Sequence, residues 1–129
     1  MSFVDWHHCR VANMEYKIDA SNKILGRLAS EVAVLLRGKN DPRFNPTKLS
    51  GNTITVYNTD KIAVTGRKMS QKMYRRHSGY IGSLKEETLA RVMEKDSRRV
   101  IREAVMGMLP KNRSRAKIIK NLTLVKGGI

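Results

Sequence analysis

The 129-residue sequence holds a single cysteine, Cys9, so no internal disulfide can form and a reducing compartment is compatible with it. No apolar run reaches the length of a transmembrane helix, and the best amphipathic segments have the spacing of core helices, not surface anchors. The opening stretch, MSFVDWHHCRVANMEY, lacks the apolar centre of a secretory signal. Asp5, with one Arg before Lys17, is also poor for a transit peptide, so an unexported, intracellular protein is expected. There is no internal repeat and no low-complexity tract. Acid is scarce as well: 11 Asp and Glu stand against 26 Lys and Arg, a formal net charge of +15. Self-repulsion on that scale disfavours a compact state unless counter-charge is supplied. A nucleic-acid backbone supplies many phosphates at once, each contact adding affinity through counterion release. Anionic lipid is the weaker alternative.

Signatures of catalysis and metal binding are missing too. His7, His8 and Cys9 are three adjacent donors, but neighbouring side chains do not readily wrap one tetrahedral ion, and no fourth ligand is in sight. RGKN (Arg37 to Asn40) and TGRK (Thr65 to Lys68) are fragments of phosphate-loop sequence, yet neither completes GxxxxGK[ST], and GxGxxG is absent. No Ser, His and acid set stands out, and His77 has no spacing to His7 or His8 that suggests a site. No enzyme activity, metal, cofactor or small-molecule substrate is expected.

Apolar residues make up 40% of the chain, enough for one modest core. YKIDA (Tyr16 to Ala20) reads as a strand. The next segment has polar cap candidates Ser21 and Asn22, then Leu25, Leu28, Ala29, Val32, Leu35 and Leu36 at three- and four-residue steps, and a stop at Arg37-Gly38. That pattern predicts a helix. NDPRFNPTKLSGN is a loop, and TITVYN (Thr53 to Asn58) an alternating β-branched strand. KMYRRH (Lys72 to His77) is a third, cationic strand, and SGYIGS a glycine-punctuated loop. KEETLARVMEK is expected to be helical, entered through Ser83 with Glu86 at capping-box spacing. SRRVIREAVMGML is a second helix, striped by Val100, Ile101, Ala104, Val105, Met108 and Leu109 and ended by Pro110. A short basic helix from Ser114 to Lys120 and a last strand, NLTLV, complete an α/β or α+β domain with a small sheet.

The cations cluster. Lys61, Arg67, Lys68, Lys72, Arg75, Arg76 and Lys85 lie in a stretch without one acid, and Arg98 to Lys120 has Glu103 as its only acid. The acids gather between these segments, in Glu86, Glu87, Glu94 and Asp96. Two solvated basic faces are the plainer reading; a nucleic-acid surface explains both segments and the total charge. Tyr74 and Tyr80 interleave with Arg75, Arg76 and His77, placed either for base or sugar stacking or for half-buried packing. In SGYIG, Gly79 and Gly82 permit positive φ; the loop is either a plain turn or one whose main-chain N–H groups approach phosphate. After Pro110, which ends the apolar helix, Lys111, Arg113, Arg115 and Lys117 emerge together, so the apolar half is read as positioning and the basic half as binding.

LGRLASEVAVLLRGK, YNTDKIAVTGRK, KMYRRHSGYIG and RVIREAVMGMLPKN, in this order and at this spacing, resemble the bacterial-type ribosomal protein L13 family, over about Tyr16 to Gly127. The resemblance implies a single three-layer α/β/α domain around a small, mainly parallel sheet. It also implies a structural role in the large ribosomal subunit, binding and folding large-subunit rRNA in early assembly beside neighbouring ribosomal proteins, without catalysis. It places Gly66, Lys68, Lys72, Tyr74, Arg75, His77, Ser78, Gly79 and Tyr80 in an rRNA-facing strand and loop, and residues 107–111 at a helix end that turns into rRNA. Together with the charge pattern, this makes the candidate rRNA contacts Lys39, Arg67, Lys68, Lys72, Tyr74, Arg75, Arg76, His77, Ser78, Gly79, Tyr80, Lys85, Lys111, Asn112, Arg113, Arg115, Lys117 and Lys120. Residues 1–14 are expected to be an extension that is flexible until assembled, and 15–129 the rRNA-binding domain.

The sequence departs from the family pattern at four places. Glu15 replaces a usual Trp, Gly51-Asn52 a usual Gly-Asp, and Arg113-Ser114-Arg115 a usual Leu-Gly-Arg; a histidine-containing tail is absent before Ile129. A cytoplasmic ribosome of a divergent or reduced bacterial lineage, or an organellar one, fits this pattern. Two other readings stay open on the residues alone. One is a free-standing regulator of mRNA or DNA, disfavoured for DNA by the lack of a recognition helix or zinc module. The other is a nucleotide-dependent α/β enzyme, disfavoured by the single glycine, Gly26, in DASNKILG.

Overall fold

The computed structural model describes residues 13–128. The His7–Cys9 run and all but the last two residues of the expected extension lie outside them. The chain runs β1 (Glu15–Asp19), α1 (Leu25–Arg37), β2 (Thr53–Tyr57), a 3-10 turn (Thr59–Lys61) and a one-turn α2 (Lys68–Gln71). It continues through β3 (Met73–His77), β4 (Leu84–Thr88), α3 (Leu89–Met108), α4 (Arg115–Ile119) and β5 (Leu122–Leu124).

β1, β2 and β5 form a parallel sheet in the order β1-β2-β5, with Ile54 beside Tyr16 and Leu122, and Val56 beside Ile18 and Leu124. Because side chains alternate across a strand, this register puts Ile18, Ile54, Val56, Leu122 and Leu124 on one face, and all are buried. Leu28, Val32 and Leu36 of α1 and Val92, Val100, Ile101 and Val105 of α3 join them in one core. Each fully buried large side chain contributes about 1.5–3 kcal/mol. The opposite face carries Lys17, Asp19 and Thr123 exposed, with Thr53, Thr55 and Tyr57 half-buried. The fold is therefore α/β with a small parallel sheet, beside which β3 and β4 make a separate antiparallel ribbon.

Local chemistry departs from the sequence expectation at both helix starts. Ser21 and Asn22 do not cap α1. Ser21 donates through N–H and Oγ–H to Asp19 Oδ1 at 2.9 and 2.8 Å, and Asn22 sits at φ 58°, shaping a turn ahead of the helix. The helix starts later because Ala63 lies alongside Ile24 and its carbonyl takes the Leu25 N–H at 3.0 Å, satisfying an amide that a cap would otherwise serve. Its end is as expected: Gly38 turns left-handed at φ 70°, and the Gly38 and Lys39 N–H groups return to the carbonyls of Leu35 and Val34.

The second correction is larger. Residues 84–88 are strand β4, not the start of a helix, and Ser83 with Glu86 forms no capping box. The backbone of β3 needs a pairing partner, and β4 provides it; Thr88 then caps α3, its Oγ1 accepting from Arg91 N–H at 3.4 Å. The division expected between two helices does occur, at Asp96, whose backbone is extended at φ −157° inside α3. Its carboxylate accepts from the Arg98 N–H at 3.2 Å and so opens the second half. Beneath the kink Ser97 is buried, bonded to Thr59 Oγ1 at 2.9 Å and to Asp60.

One family departure finds a reason here. Asn52 is buried; its amide donates to the Leu35 carbonyl at 2.9 Å while its Oδ1 accepts the Met14 N–H at 3.4 Å. An Asp carboxylate at this position has no proton for the first of those bonds.

Candidate nucleic-acid interface

The β3–β4 ribbon carries much of the first basic segment. Its pairing sets Arg75 opposite Glu86, Arg76 opposite Lys85 and His77 opposite Leu84. Arg75 Nε donates to Glu86 Oε1 at 2.6 Å, so the fold folds back onto this strand an acid that the sequence separates from it. Arg76 and Lys85, like charges directly opposed, have no such relief among the described residues. They line a cleft of about 270 Å³ together with Glu86 and Glu87 and with Arg91 and Arg99 of α3. An anion placed there would remove the repulsion.

The ribbon's tip is a turn over residues 78–83 with Gly79 at φ 95° and Gly82 at φ 75°, conformations that strain any side-chain-bearing residue. This is a hairpin turn and not a strand-to-helix loop. The Gly79 N–H donates to His77 Nδ1 at 3.0 Å, which makes that nitrogen the acceptor. Ser83 Oγ closes the turn on the Tyr80 carbonyl at 2.6 Å. Ser78 is exposed, Tyr80 is 81% exposed and Ile81 entirely so, which leaves the tip free for a partner. Tyr74 is different. It is half-buried against the core, the Lys72 ammonium stands over its ring at 5.4 Å, and burial pushes its hydroxyl pKa up. Packing has claimed it.

The second basic segment is held as the sequence suggested, with one exception. Val100, Ile101, Val105 and Leu109 are buried, but Met108, expected in the same stripe, is 45% exposed. Pro110 ends the run. Asn112 Oδ1 then accepts from the Arg115 N–H at 3.1 Å and from Ser114 Oγ at 2.6 Å, fixing the turn that Arg113-Ser114-Arg115 left without its glycine. That oxygen is thus already engaged. Buried Ile118 anchors α4, leaving Lys111, Arg113, Lys117 and Lys120 exposed and Arg115 half-buried.

The two segments meet. A groove of about 430 Å³ sets Lys68 and Lys72 of the first against Gly107 and Met108 of the second, with the start of α1 as its other wall. Past Met108 a second hollow continues along α1 to Arg37 and Lys39. Arg67 is exposed next to Lys68. Three contributors were not read from the sequence: Arg37 and Lys48, which flank the Pro110–Asn112 turn, and Arg91 in the ribbon cleft. Lys48 lies in a proline-broken loop and Arg91 in an acid-rich stretch, so only the fold brings them in.

Few of these cations are engaged in ion pairs. Among the described residues, Arg75 is the one predicted contact that forms an ion pair. Three of the α3 cations are paired: Arg99 bridges Glu103 at 2.7 Å and Glu87 at 3.5 Å, Lys95 reaches Glu87 at 2.5 Å, and Arg98 meets Asp96 at 2.9 Å, while Arg91 and Arg102 form no ion pair among the described residues. The hydrogen bond from Lys95 lowers the Glu87 pKa, and that from Arg98 lowers the Asp96 pKa. No described helix is long and apolar enough to cross a membrane.

A small α/β domain whose grooves are bordered by cations without ion-pair partners among the described residues, with an exposed glycine-shaped hairpin tip, belongs to the class of proteins that present a basic surface suited to a polyanion. Comparison narrows the class: residues 13–128 match the family model for Ribosomal protein L13. The large ribosomal subunit protein uL13 of Alkalilimnicola ehrlichii is 51% identical over 113 residues, which is 88% of this chain and 80% of the relative. Those of Geobacter sp. (strain M21) and Lawsonia intracellularis are 45% and 48% identical, covering 88% and 91% of this chain and 80% and 81% of theirs. This chain belongs to the ribosomal protein L13 family, a family of structural, non-enzymatic proteins.

Proposed function

We propose that this chain is a structural constituent of the large ribosomal subunit that binds large-subunit rRNA and helps it fold during early assembly, beside neighbouring ribosomal proteins. Family membership supports the subunit. One observation supports the binding: the cations of the ribbon, the grooves and the post-Pro110 turn lack internal partners among the described residues, with Arg75 as the exception. A chain that keeps so much charge uncompensated uses it on phosphate. The contacts are Lys39, Arg67, Lys68, Lys72, Arg76, Lys85, Lys111, Arg113, Arg115, Lys117 and Lys120, with Arg75, His77, Ser78, Gly79 and Tyr80 at the ribbon and its tip. Tyr74 and Asn112 hold that surface in shape as well as bordering it. On this reading residues 1–14 are an extension, flexible until assembled, that gains its contacts on incorporation. The chain then resides in the ribosome, which in bacteria is cytoplasmic.

Sucrose-gradient fractionation of native lysate at low and at high salt tests this. Co-migration with the large subunit under both conditions is expected. Migration at the top of the gradient, or release by modest salt, would replace the proposal with a free nucleic-acid-binding regulator.

A further inference from the structure

Two glycines do nothing evident for the chain that carries them. Gly26 and Gly107 lie in the first turn of α1 and the last turn of α3; neither has positive φ, and a Cβ at either would meet no heavy atom within 4 Å. Gly38 and Gly51 show the contrast: both sit at φ +70°, and a Cβ there would reach 2.7 Å from Ser50 and 2.3 Å from Asn13. In a helix glycine is disfavoured relative to alanine, so local folding argues against glycine at 26 and 107. Packing within the described residues gives no reason for it either.

Both glycines border the same groove of about 430 Å³. Leu25, Val64, Ala104 and Met108 give it apolar walls, and Lys68 and Lys72 line it without an ion-pair partner among the described residues, the Lys72 ammonium resting over the neighbouring Tyr74 ring at 5.4 Å. A cleft with bare helix backbone on two sides admits a flat apolar object, and two lysines lining it select a phosphate. A nucleotide combines the two. We propose that this groove seats a single unstacked nucleotide of the bound RNA, its base against the bare helix surface at Gly26 and Gly107 and its phosphate between Lys68 and Lys72. The proposal rests on the RNA-binding reading and names the ligand of one part of that surface. Single-stranded RNA is recognised by splaying such bases out, and the groove's volume suits one nucleotide, not a duplex. Glu103 fits as well: Arg99 holds its Oε1 at 2.7 Å, which offsets its charge and leaves Oε2 to accept a base N–H.

The test uses the full chain and large-subunit rRNA, with Gly26→Leu and Gly107→Leu separately and together. Leucine is a strong helix former and its Cβ meets no heavy atom within 4 Å at either site, so Tm should hold or rise. Affinity should fall at least tenfold, with a smaller loss of salt slope than Lys68→Ala/Lys72→Ala produces. Wild-type affinity in the double leucine variant overturns the proposal and leaves the RNA-binding reading standing. If the unaltered chain does not bind the rRNA, both fall. Should the double variant lose several degrees of Tm, ultraviolet crosslinking of the unaltered complex decides. A nucleotide attached within residues 64–72 or 103–108 supports the proposal; attachment confined to the β3–β4 ribbon, or a peptide in place of a nucleotide, overturns it.

Discussion

The middle of α3 and the rim formed by α2, the ribbon and the post-Pro110 turn are equally rich in cations and differ in company. Lys95, Arg98 and Arg99 each hold a carboxylate, of Glu87, Asp96 or Glu103. Lys68, Lys72, Arg76, Lys85, Lys111 and Arg113 hold none among the described residues. Charge density is therefore a poor guide to an interface. Ion pairing shows which cations the fold has already occupied, and those of the rim are among the charges left over. The α3 pairs are half-exposed, so each contributes little stability and works mainly by occupying its cation within the fold.

Substitutions can break this contrast or sharpen it. The largest effect is expected from Lys111→Ala/Arg113→Ala/Arg115→Ala. Affinity for rRNA should drop on the order of 100-fold, and the slope of log affinity on log salt should flatten by about 0.7–0.9 for each phosphate left without its cation. Tm should barely move, because the buried anchors are Leu109 and Ile118. A collapse of Tm with an unchanged slope would reverse the roles assigned to the two halves. Arg98→Ala, which removes the pair with Asp96, is the mirror experiment. Denaturant titration should show a small loss of stability, as for other exposed ion pairs, while rRNA affinity stays within about twofold; a large binding defect would merge the two regions into one.

The smallest effect is a pH dependence in the paired region and at the sheet's edge. Hydrogen bonds from Asn58 and Ser21 lower the Asp19 pKa from 3.8 to about 2, and Glu87 and Asp96 are also lowered, by Lys95 and Arg98. Each folded pKa lies below its unfolded value, so the stabilisation is complete above the unfolded pKa and is lost as pH falls through the folded one. Melting curves between pH 5 and about 2 should decline less steeply for Asp19→Asn than for the unaltered chain. Parallel curves would mean that Asp19 is not held in this way.

Much of this was legible in the sequence because it is written in local periodicity. Leu25 to Leu36 announce α1 and its buried face, Gly38 its stop, and Ile54 with Val56 the central strand. The break between the two parts of α3 falls where the two expected segments, KEETLARVMEK and SRRVIREAVMGML, leave Asp96 between them. KEET misleads because its local preference is helical; its strand state comes from β3, a partner distant in chemistry if not in sequence. Nothing in the sequence could reveal that Ala63 replaces a helix cap, or that Met108 turns outward, since both depend on elements meeting in space. The basic segments were visible. Which of their charges were spent internally was not: the pairing of Arg75 with Glu86 appears only with the ribbon's register.

The pairing of β5 with β2 has a consequence in time. Leu122, near the end of the chain, lies beside Ile54, so the sheet gains its second seam only when the last strand is available. A chain made from its N-terminus releases β1, α1 and β2 first, then the cationic stretch through α2 and the ribbon, and β5 last. Non-local strand pairing is also the slow part of folding. The phosphate-seeking segments therefore meet solvent while the sheet is still open. A transcript waiting nearby can engage them before the domain has closed, and partner and protein can complete their structures together.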